Sequence, residues 1–421
     1  MLGNDGEFVG FDLVIGNPPY IRQEEVKQLS KYFELAYKSF SGKSDLYVFF
    51  YEKAVQILKT NGTLNFITSG KYFEASYGKP LIDFLIYNCR INAIINFNDL
   101  PVFEGITAYP LIFSGTKVYN EKFEFSYFDL DKLPDLLLED FLSTIQPLNV
   151  SKTEFVKNEY KFIDRIQSEI INKLKIDSIS LSDFCGLPIV GVKTGYNDGF
   201  ITKIELQKYV KPYIFGRDIK KYQPIIPKNN IIFPYSSNFK IAQLEKVEEV
   251  YSILLSHKAK LSQRAIIKEG LQNQSKCWYE YQQVNKTIDY ENECIVYPNV
   301  SLGNNFTISA GGVIDMTAFI IKSNSRYLLA ILNSKLIAFL MEIWCIGRRG
   351  GYLEYKVQYV EKIPIKNISL NEQTPFIELV EKIIALKKQG KDSSEAETQI
   401  DHLVYQLYNL TPEEIKIVEG K

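Results

Sequence analysis

The sequence predicts an α/β domain over residues 1–128, a linker with a bridging helix over 129–178, an α+β domain over 179–366 and a helical tail over 367–421. Three observations carry this. Short apolar runs alternate with segments of helical spacing through the first domain, the pattern of a mainly parallel sheet with crossover helices. The region after residue 180 breaks into short β-branched and aromatic runs separated by glycines and prolines, and the end of the chain is helical in period.

Phe11-Asp-Leu-Val-Ile15 is an apolar run stopped by Gly16 and a double proline, the signature of a buried strand at its carboxyl end. Leu46, Phe49, Phe50, Ala54, Ile57 and Leu58 fall at helical spacing and end in an Asn61-Gly62 turn. Thr63 to Thr68 is strand-like, Pro80 to Asn88 helical, and Ile91 to Phe97 a strand; a strand pair interrupted near Phe103 to Thr107 closes the segment. Residues 129–178 are polar with amphipathic stretches. In the third domain Ile231 to Tyr235, Cys294 to Val300 and Phe306 to Ser309 read as strands, and Leu328 to Trp344 as one buried helix. Pro375 to Lys388 and Glu395 to Leu410 form the tail.

With 421 residues, 46% hydrophobic and 14% aromatic, the chain is long enough for two or three cores, and its composition excludes disorder, collagen and coiled coil. It holds no uninterrupted run of about 18 apolar residues, so no membrane segment is expected. Met1 to Gly10 lacks the basic and apolar regions of a secretory signal, and a cytoplasmic location is expected. Five cysteines with no Cys-x-x-Cys pair and two distant histidines, His257 and His402, supply neither a zinc cluster nor a disulfide framework; no metal site is expected.

The net charge of −1 conceals a division along the chain. Residues 1–150 carry 13 basic and 19 acidic side chains (net −6), whereas residues 186–366 carry 24 and 15 (net +9). A basic middle gains by releasing counterions from phosphates, which points to nucleic acid. The alternative is a lysine-rich surface, since only eight of the 49 basic residues are arginine.

The most informative residues are Asn17-Pro18-Pro19-Tyr20, directly after the first strand, where ligands of open α/β sheets bind. Two prolines stiffen the backbone and remove two amide donors. The Asn17 side-chain oxygen and the Pro18 carbonyl then remain as fixed acceptors, with Tyr20 as an aromatic face. Two acceptors aimed at one point suit an exocyclic amino group, whose lone pair is otherwise delocalised into its ring. A proline-rich turn without chemistry is the plainer alternative.

Following Phe11-Asp-Leu-Val-Ile-Gly16, this turn resembles the catalytic motif of adenine-specific DNA methyltransferases that use S-adenosylmethionine (SAM). Ser44 to Lys59 with Asn61 to Ile67 is similar to that family's next helix and strand. Asp99-Leu-Pro-Val-Phe-Glu-Gly-Ile-Thr-Ala108 is similar to the later motif whose phenylalanine packs on a flipped base, a role the resemblance gives to Phe103. Beyond residue 180, Gly191-Val-Lys-Thr-Gly-Tyr-Asn197, Phe215 to Tyr222, Lys276-Cys-Trp-Tyr-Glu280, Ile331 to Lys335 and Tyr359 to Pro364 resemble the specificity domain of TaqI-type enzymes, also found in single-chain type IIG and IIS restriction-modification proteins. The resemblance therefore implies the C-terminal half of a SAM-dependent methyltransferase sheet, an α+β DNA-recognition domain and a helical tail.

One part of the family pattern is missing. Members carry a glycine-rich SAM loop before the Asn-Pro-Pro-Tyr strand, yet no two of the 24 glycines here are separated by a single residue. The expectation is the C-terminal part of a longer enzyme, inactive in isolation and not binding SAM tightly, whose N-terminal methyltransferase or endonuclease part comes from an upstream segment or chain. Asp45, matched to the helix-bearing motif, lines the methionine end of SAM or caps the helix before Leu46. The exposed sheet edge implies that N-terminal partner or self-association. Glu25-Val-Lys27 after Asp12 superficially matches a nuclease metal site, but the Asn-Pro-Pro-Tyr turn lies between them, and cleavage by this chain is not expected.

Double-stranded DNA is the expected partner. Candidate contacts are Arg348 and Arg349 before Gly350-Gly351, as forked donors on a flexible loop. Lys193, Tyr196 and Asn197 sit on a glycine-bounded loop. Arg217 contacts DNA or pairs with Asp218. Lys276, Trp278 and Tyr279 touch the nucleic acid or pack internally. The competing functional class is a DNA-recognition module without catalysis; transfer to protein glutamine or RNA shares the turn but leaves the TaqI-like stretches unexplained.

Overall fold

The computed structural model describes residues 6–103, 109–135 and 137–420, with the Arg349 side chain excepted. The chain forms two compact units, Met1–Ile170 and Ile171–Lys421.

The first unit is α/β. Its strands are β1 (Phe11–Gly16), β2 (Leu58–Ser69), β3 (Cys89–Asn96), β4 (Pro110–Lys117), β5 (Glu124–Asp129) and β6 (Leu148–Ser151), in the spatial order β1-β2-β4-β3-β5-β6. Helices α1 (Ser30–Ala36), α2 (Tyr47–Ile57), α3 (Lys79–Asn88), α4 (Leu138–Ser143) and α5 (Lys152–Lys157) complete it. The sheet is mixed rather than mainly parallel. β1 pairs parallel with β2, and β3 with β5, but β4 runs antiparallel between β2 and β3, and β6 antiparallel to β5. Four strands therefore end at one edge: β1, β2, β3 and β5.

The predicted turn at Asn61-Gly62 is a bulge within β2. Asn61 has φ +65°, and the register against β1 jumps between Phe11 and Leu13. Gly62 is required there, because a Cβ would lie 2.7 Å from the Phe11 carbonyl oxygen. The core beneath is aromatic: Tyr47, Tyr51, Tyr72 and Phe113 are almost fully buried, and Phe33 stacks on Phe49 with centroids 4.2 Å apart.

Residues read as a linker belong partly to this unit. Leu130 and Phe141 pack with Ile95 and Phe97 in a small second core, while Val150 and Phe155 are buried in the main one. Sparse apolar residues in a polar stretch suffice because each of these four is buried in one of the two cores.

The second unit holds two four-stranded sheets. One orders Val313–Ile314, Val210–Ile214, Asn229–Ile232 and Ile201–Thr202; the other orders Thr307–Ser309, Cys294–Pro298, Ala318–Ile321 and Ile189–Val190. The predicted single helix over Leu328 to Trp344 is two, Arg326–Asn333 and Lys335–Trp344, bent by 59°. The break has a cause. Asn333 exchanges side-chain hydrogen bonds with the Phe306 backbone, and Ser334 in extended conformation accepts from the Ile337 amide to start a new helix. The tail helix Leu370–Lys388 opens on a Ser369/Glu372 capping box and packs on Arg326–Asn333, with Phe376 against Tyr327 at 5.3 Å. Ser394–Leu407 follows, then Pro412–Val418, which the sequence reading missed although Thr411 and Glu414 form a second capping box.

Among the described residues no single helix is long and apolar enough to cross a membrane, and no group of three or more His, Cys, Asp or Glu is placed to hold a metal ion.

Candidate functional site

The carboxyl ends of β1 and β3 build one corner of the first unit. β1 ends at Gly16 and delivers Asn17 exposed, Pro18 buried, Pro19 exposed and Tyr20 half-buried. A Cβ at Gly16 would press on Phe66 of β2 at 3.2 Å, so glycine lets the turn start close to the sheet. β3 delivers the segment that carries Phe103. The two rings meet: Tyr20 and Phe103 lie 6.3 Å apart with planes tilted by 59°, and Tyr47 of α2 closes on the other side of Tyr20 at 6.4 Å.

Both segments are anchored. After the turn, Ile21 accepts from the Leu46 amide at 3.0 Å, and the Gln23 amide donates to Asp45 Oδ1 at 3.3 Å. Asp45 thus braces the turn rather than capping α2, whose first residues take no side-chain cap. Before Phe103, Asn96 and Asn98 donate to Asp129 Oδ1, both at 2.9 Å, and the Tyr127 hydroxyl donates to the same oxygen at 3.2 Å. Three donors on one carboxylate oxygen fix where the chain leaves β3. Residues 104–108 of the matched motif lie outside the described residues.

The corner is lined by tyrosines kept neutral. Desolvation raises the hydroxyl pKa of Tyr20, raises that of Tyr47 strongly and pushes Tyr77 up to about 12. Tyr47 and Tyr77 share a hydrogen bond of 3.1 Å, whereas the buried Tyr20 hydroxyl has no hydrogen-bond partner among the described residues. Desolvation also raises the Asp45 carboxyl, opposed by the Gln23 amide and by Lys71.

In the second unit the sequence-predicted contacts divide. Lys193 is exposed on a backbone bridge to Gln283, bonded both ways at 2.9 Å. Tyr196 lies under Lys260, whose ammonium sits 5.3 Å from the ring centroid. Asn197 is turned inward: its amide donates to buried Asp315 at 3.3 Å, and its oxygen accepts from Tyr213 at 3.3 Å and from Thr194. Arg217 is exposed and rests on the Phe215 ring at 4.5 Å, while Asp218 accepts from the Phe215 amide instead of pairing with it. Lys276 is ion-paired with Glu280 at 3.0 Å. Trp278 is half-buried beneath Lys258 at 5.4 Å, and Tyr279 is core, its hydroxyl donating to Ala242 at 2.8 Å. Arg348 grips the buried Glu354, which Lys356 also pairs. These placements bring Lys193, Arg217 and Arg348 to the surface, leave Tyr196 and Asn197 half-buried with the Asn197 amide bonded inward, and bury Tyr279. Sequence reasoning missed Lys258 and Lys260, whose cation–π seats only a fold reveals, and buried Arg264, which donates to the Thr194 and Trp278 carbonyls.

Residues 3–103 match the Eco57I restriction-modification methylase family, and residues 211–365 match the TaqI-like C-terminal specificity domain. The type II methyltransferase M.BstVI of Geobacillus stearothermophilus is 24% identical over 98% of this chain and 76% of its own length. The type II restriction enzyme and methyltransferase RM.Eco57I of Escherichia coli is 25% identical over 92% of this chain and 43% of its own. Among solved structures, the type IIL restriction-modification enzyme MmeI in complex with DNA shares the fold with a TM-score of 0.62 at 14% identity, over 97% of this chain and 56% of that one. The chain thus spans about half the length of two of these relatives and three quarters of the third.

Proposed function

Since the chain belongs to the type II restriction-modification methyltransferase family and carries a TaqI-like specificity domain, we propose that it is the catalytic-turn and target-recognition part of a site-specific DNA adenine methyltransferase. The observation that carries this reading is the meeting of Tyr20 and Phe103 beside the Asn17-Pro18 acceptors at the carboxyl edge of the sheet.

In this reading an adenine extruded from double-stranded DNA enters the corner and stacks on Tyr20 and Phe103. The rings now contact each other, so the base enters by turning them apart. Asn17 Oδ1 and the Pro18 carbonyl accept the two hydrogens of the exocyclic amine, drawing its lone pair out of conjugation with the ring and toward an electrophile. After attack the amine carries a positive charge, and its N–H, still hydrogen-bonded to these oxygens, loses the proton to water. SAM would supply the methyl group. Asp45 suits its methionine end, because a partly desolvated carboxylate beside the turn gains from an arriving ammonium.

The glycine-rich SAM loop is supplied by a further segment in this proposal. Among the described residues β1 is an edge strand paired only with β2, and Leu13 and Ile15 on it are 51% and 75% exposed. Such an edge accepts another strand, from the rest of the methyltransferase sheet or from a second copy. The test is Asn17→Ala in the enzyme completed by that segment. Methyl transfer is lost while duplex binding stays; retained transfer overturns the reading. A recognition module without catalysis is the second reading, favoured by the net +9 of residues 186–366 together with the absence of any Gly-x-Gly. Sequence-selective binding with no transfer under any pairing would select it.

A further inference from the structure

The second unit carries two adjoining cavities with a shared wall. One, of ≈ 820 Å³, is lined by Lys208, Tyr209, Phe233, Tyr290 and others; a second, of ≈ 690 Å³, contributes Lys240 and Lys276. Tyr235, Phe239 and Lys286 line both, so the two cavities adjoin along these three residues. Each volume is of the size that small ligands fill.

Phe239 is an unexpected residue for its place. Its φ is +57°, a left-handed conformation natural to glycine or asparagine and strained for a bulky side chain. The turn around it is fully bonded: the Phe239 amide donates to Ser236 at 2.9 Å, the Ser236 amide to Lys240 at 2.9 Å, and the Lys240 amide to Asn238 Oδ1 at 3.3 Å. The ring stands edge-on to Phe233 (6.4 Å, 80°) and Tyr290 (6.0 Å, 61°) and remains half-exposed. Glycine would make this turn without strain. An aromatic ring held there, braced from below and facing both cavities, points to use of its face.

The charges around it are specific. Lys211 is neutralised by Glu291, and Lys276 by Glu280. Lys208, Lys240 and Lys286 are exposed and form no ion pair among the described residues. Of the rim carboxylates, Asp289 is already occupied by the Glu291 amide at 2.8 Å and the Asn292 side chain at 2.6 Å. A neutral apolar ligand would leave three ammonium groups unused, and a simple anion would leave the aromatic floor unused. A nucleoside phosphate uses both, its base on the ring and its phosphate on the lysines.

We propose that this pair of cavities binds nucleoside phosphate units, with the base on Phe239 and the phosphate on Lys208, Lys240 and Lys286. The site is distinct from the Asn17 turn and its test requires no methyl transfer. Two sources share the chemistry, a free mononucleotide and an unpaired stretch of a DNA strand; two adjoining cavities that share Phe239 favour the strand.

The test is fluorescence anisotropy of the full chain with a dye-labelled single-stranded oligothymidylate, with AMP as competitor. Phe239→Asn, which suits the left-handed turn, and the surface pair Lys208→Gln/Lys286→Gln are each expected to weaken oligonucleotide binding about tenfold or more. Melting of the lysine variant is expected to be unchanged, which keeps the result readable if the Phe239 variant is less stable. Displacement by AMP assigns the free nucleotide; binding of the oligonucleotide alone assigns the strand. Wild-type affinity in the lysine variant, or no binding of either probe by the wild type at about 1 mM, overturns the proposal. A chain that binds here yet fails to support adenine methylation would count against the transferase reading alone.

Discussion

Tyr20 and Phe103 reach the same corner from the ends of two different strands and touch ring to ring, 6.3 Å between centroids. Separate bonds anchor the two: the Ile21 and Asp45 bonds hold one segment, and the Asp129 bonds hold the other.

If the pair receives an extruded base, Phe103→Ala removes one stacking face and leaves the amine acceptors intact. A loss of roughly 10- to 100-fold in kcat/KM is expected, from about 1–3 kcal/mol of stacking. With 2-aminopurine at the target position, the fluorescence of the bound complex should rise as the quenching ring disappears. Unchanged fluorescence and kinetics would remove Phe103 from the site.

The Asp129 cluster predicts a positioning effect. Asp129→Ala frees Asn96 and Asn98 and loosens the segment before Phe103, so kcat should fall more than KM rises. Asp129→Asn, which keeps an acceptor oxygen, should recover most of the rate. Equal loss in both variants would mean that charge rather than position matters there.

Glu354 makes a pH-dependent contribution. Desolvation alone would raise its carboxyl pKa, but Lys356 and Arg348 together hold it below the usual glutamate range. A depressed carboxyl pKa stabilises the fold above the unfolded value, and this is lost as pH falls through the folded one. Glu354→Gln should therefore lower stability by about 1–3 kcal/mol at neutral pH, with the difference shrinking as pH falls from the free glutamate value of about 4.3 through the lower folded one. A constant difference down to low pH would contradict the assignment.

DNA binding should separate available from occupied cations. Lys193→Gln and Arg217→Gln should each reduce the slope of log affinity against log salt by about 1. Lys276→Gln, already paired with Glu280, should change it little. Equal effects from all three would show that the domain reads only bulk charge.

The parts of the fold that were legible in sequence are those settled by local pattern. β1, α2, α3 and β3 announce themselves by period and by glycine or proline at their ends, and each lies within a few residues of its expected place. Pairing was not legible. β4 slips antiparallel between β2 and β3 because the choice of neighbour depends on distant residues, which no local period records. The same limit applies to the site. The Asn17 turn is a contiguous motif with a physical rationale, whereas the inward turn of Asn197 depends on Tyr213 and Asp315, far away in sequence. Ser334, the break between two buried helices, was hidden by continuous apolar spacing on both sides.

Whether the Asn17 turn directs a methyl group to an adenine amine is measured most directly by transfer of labelled methyl from SAM to duplex DNA, by this chain together with the segment that supplies the SAM loop, followed by digestion to nucleosides. The label is predicted in N6-methyladenine alone, and Asn17→Ala is predicted to reduce it by about 10²- to 10³-fold with duplex binding retained. Label in a cytosine derivative, or an Asn17→Ala enzyme that transfers at the wild-type rate, would contradict it.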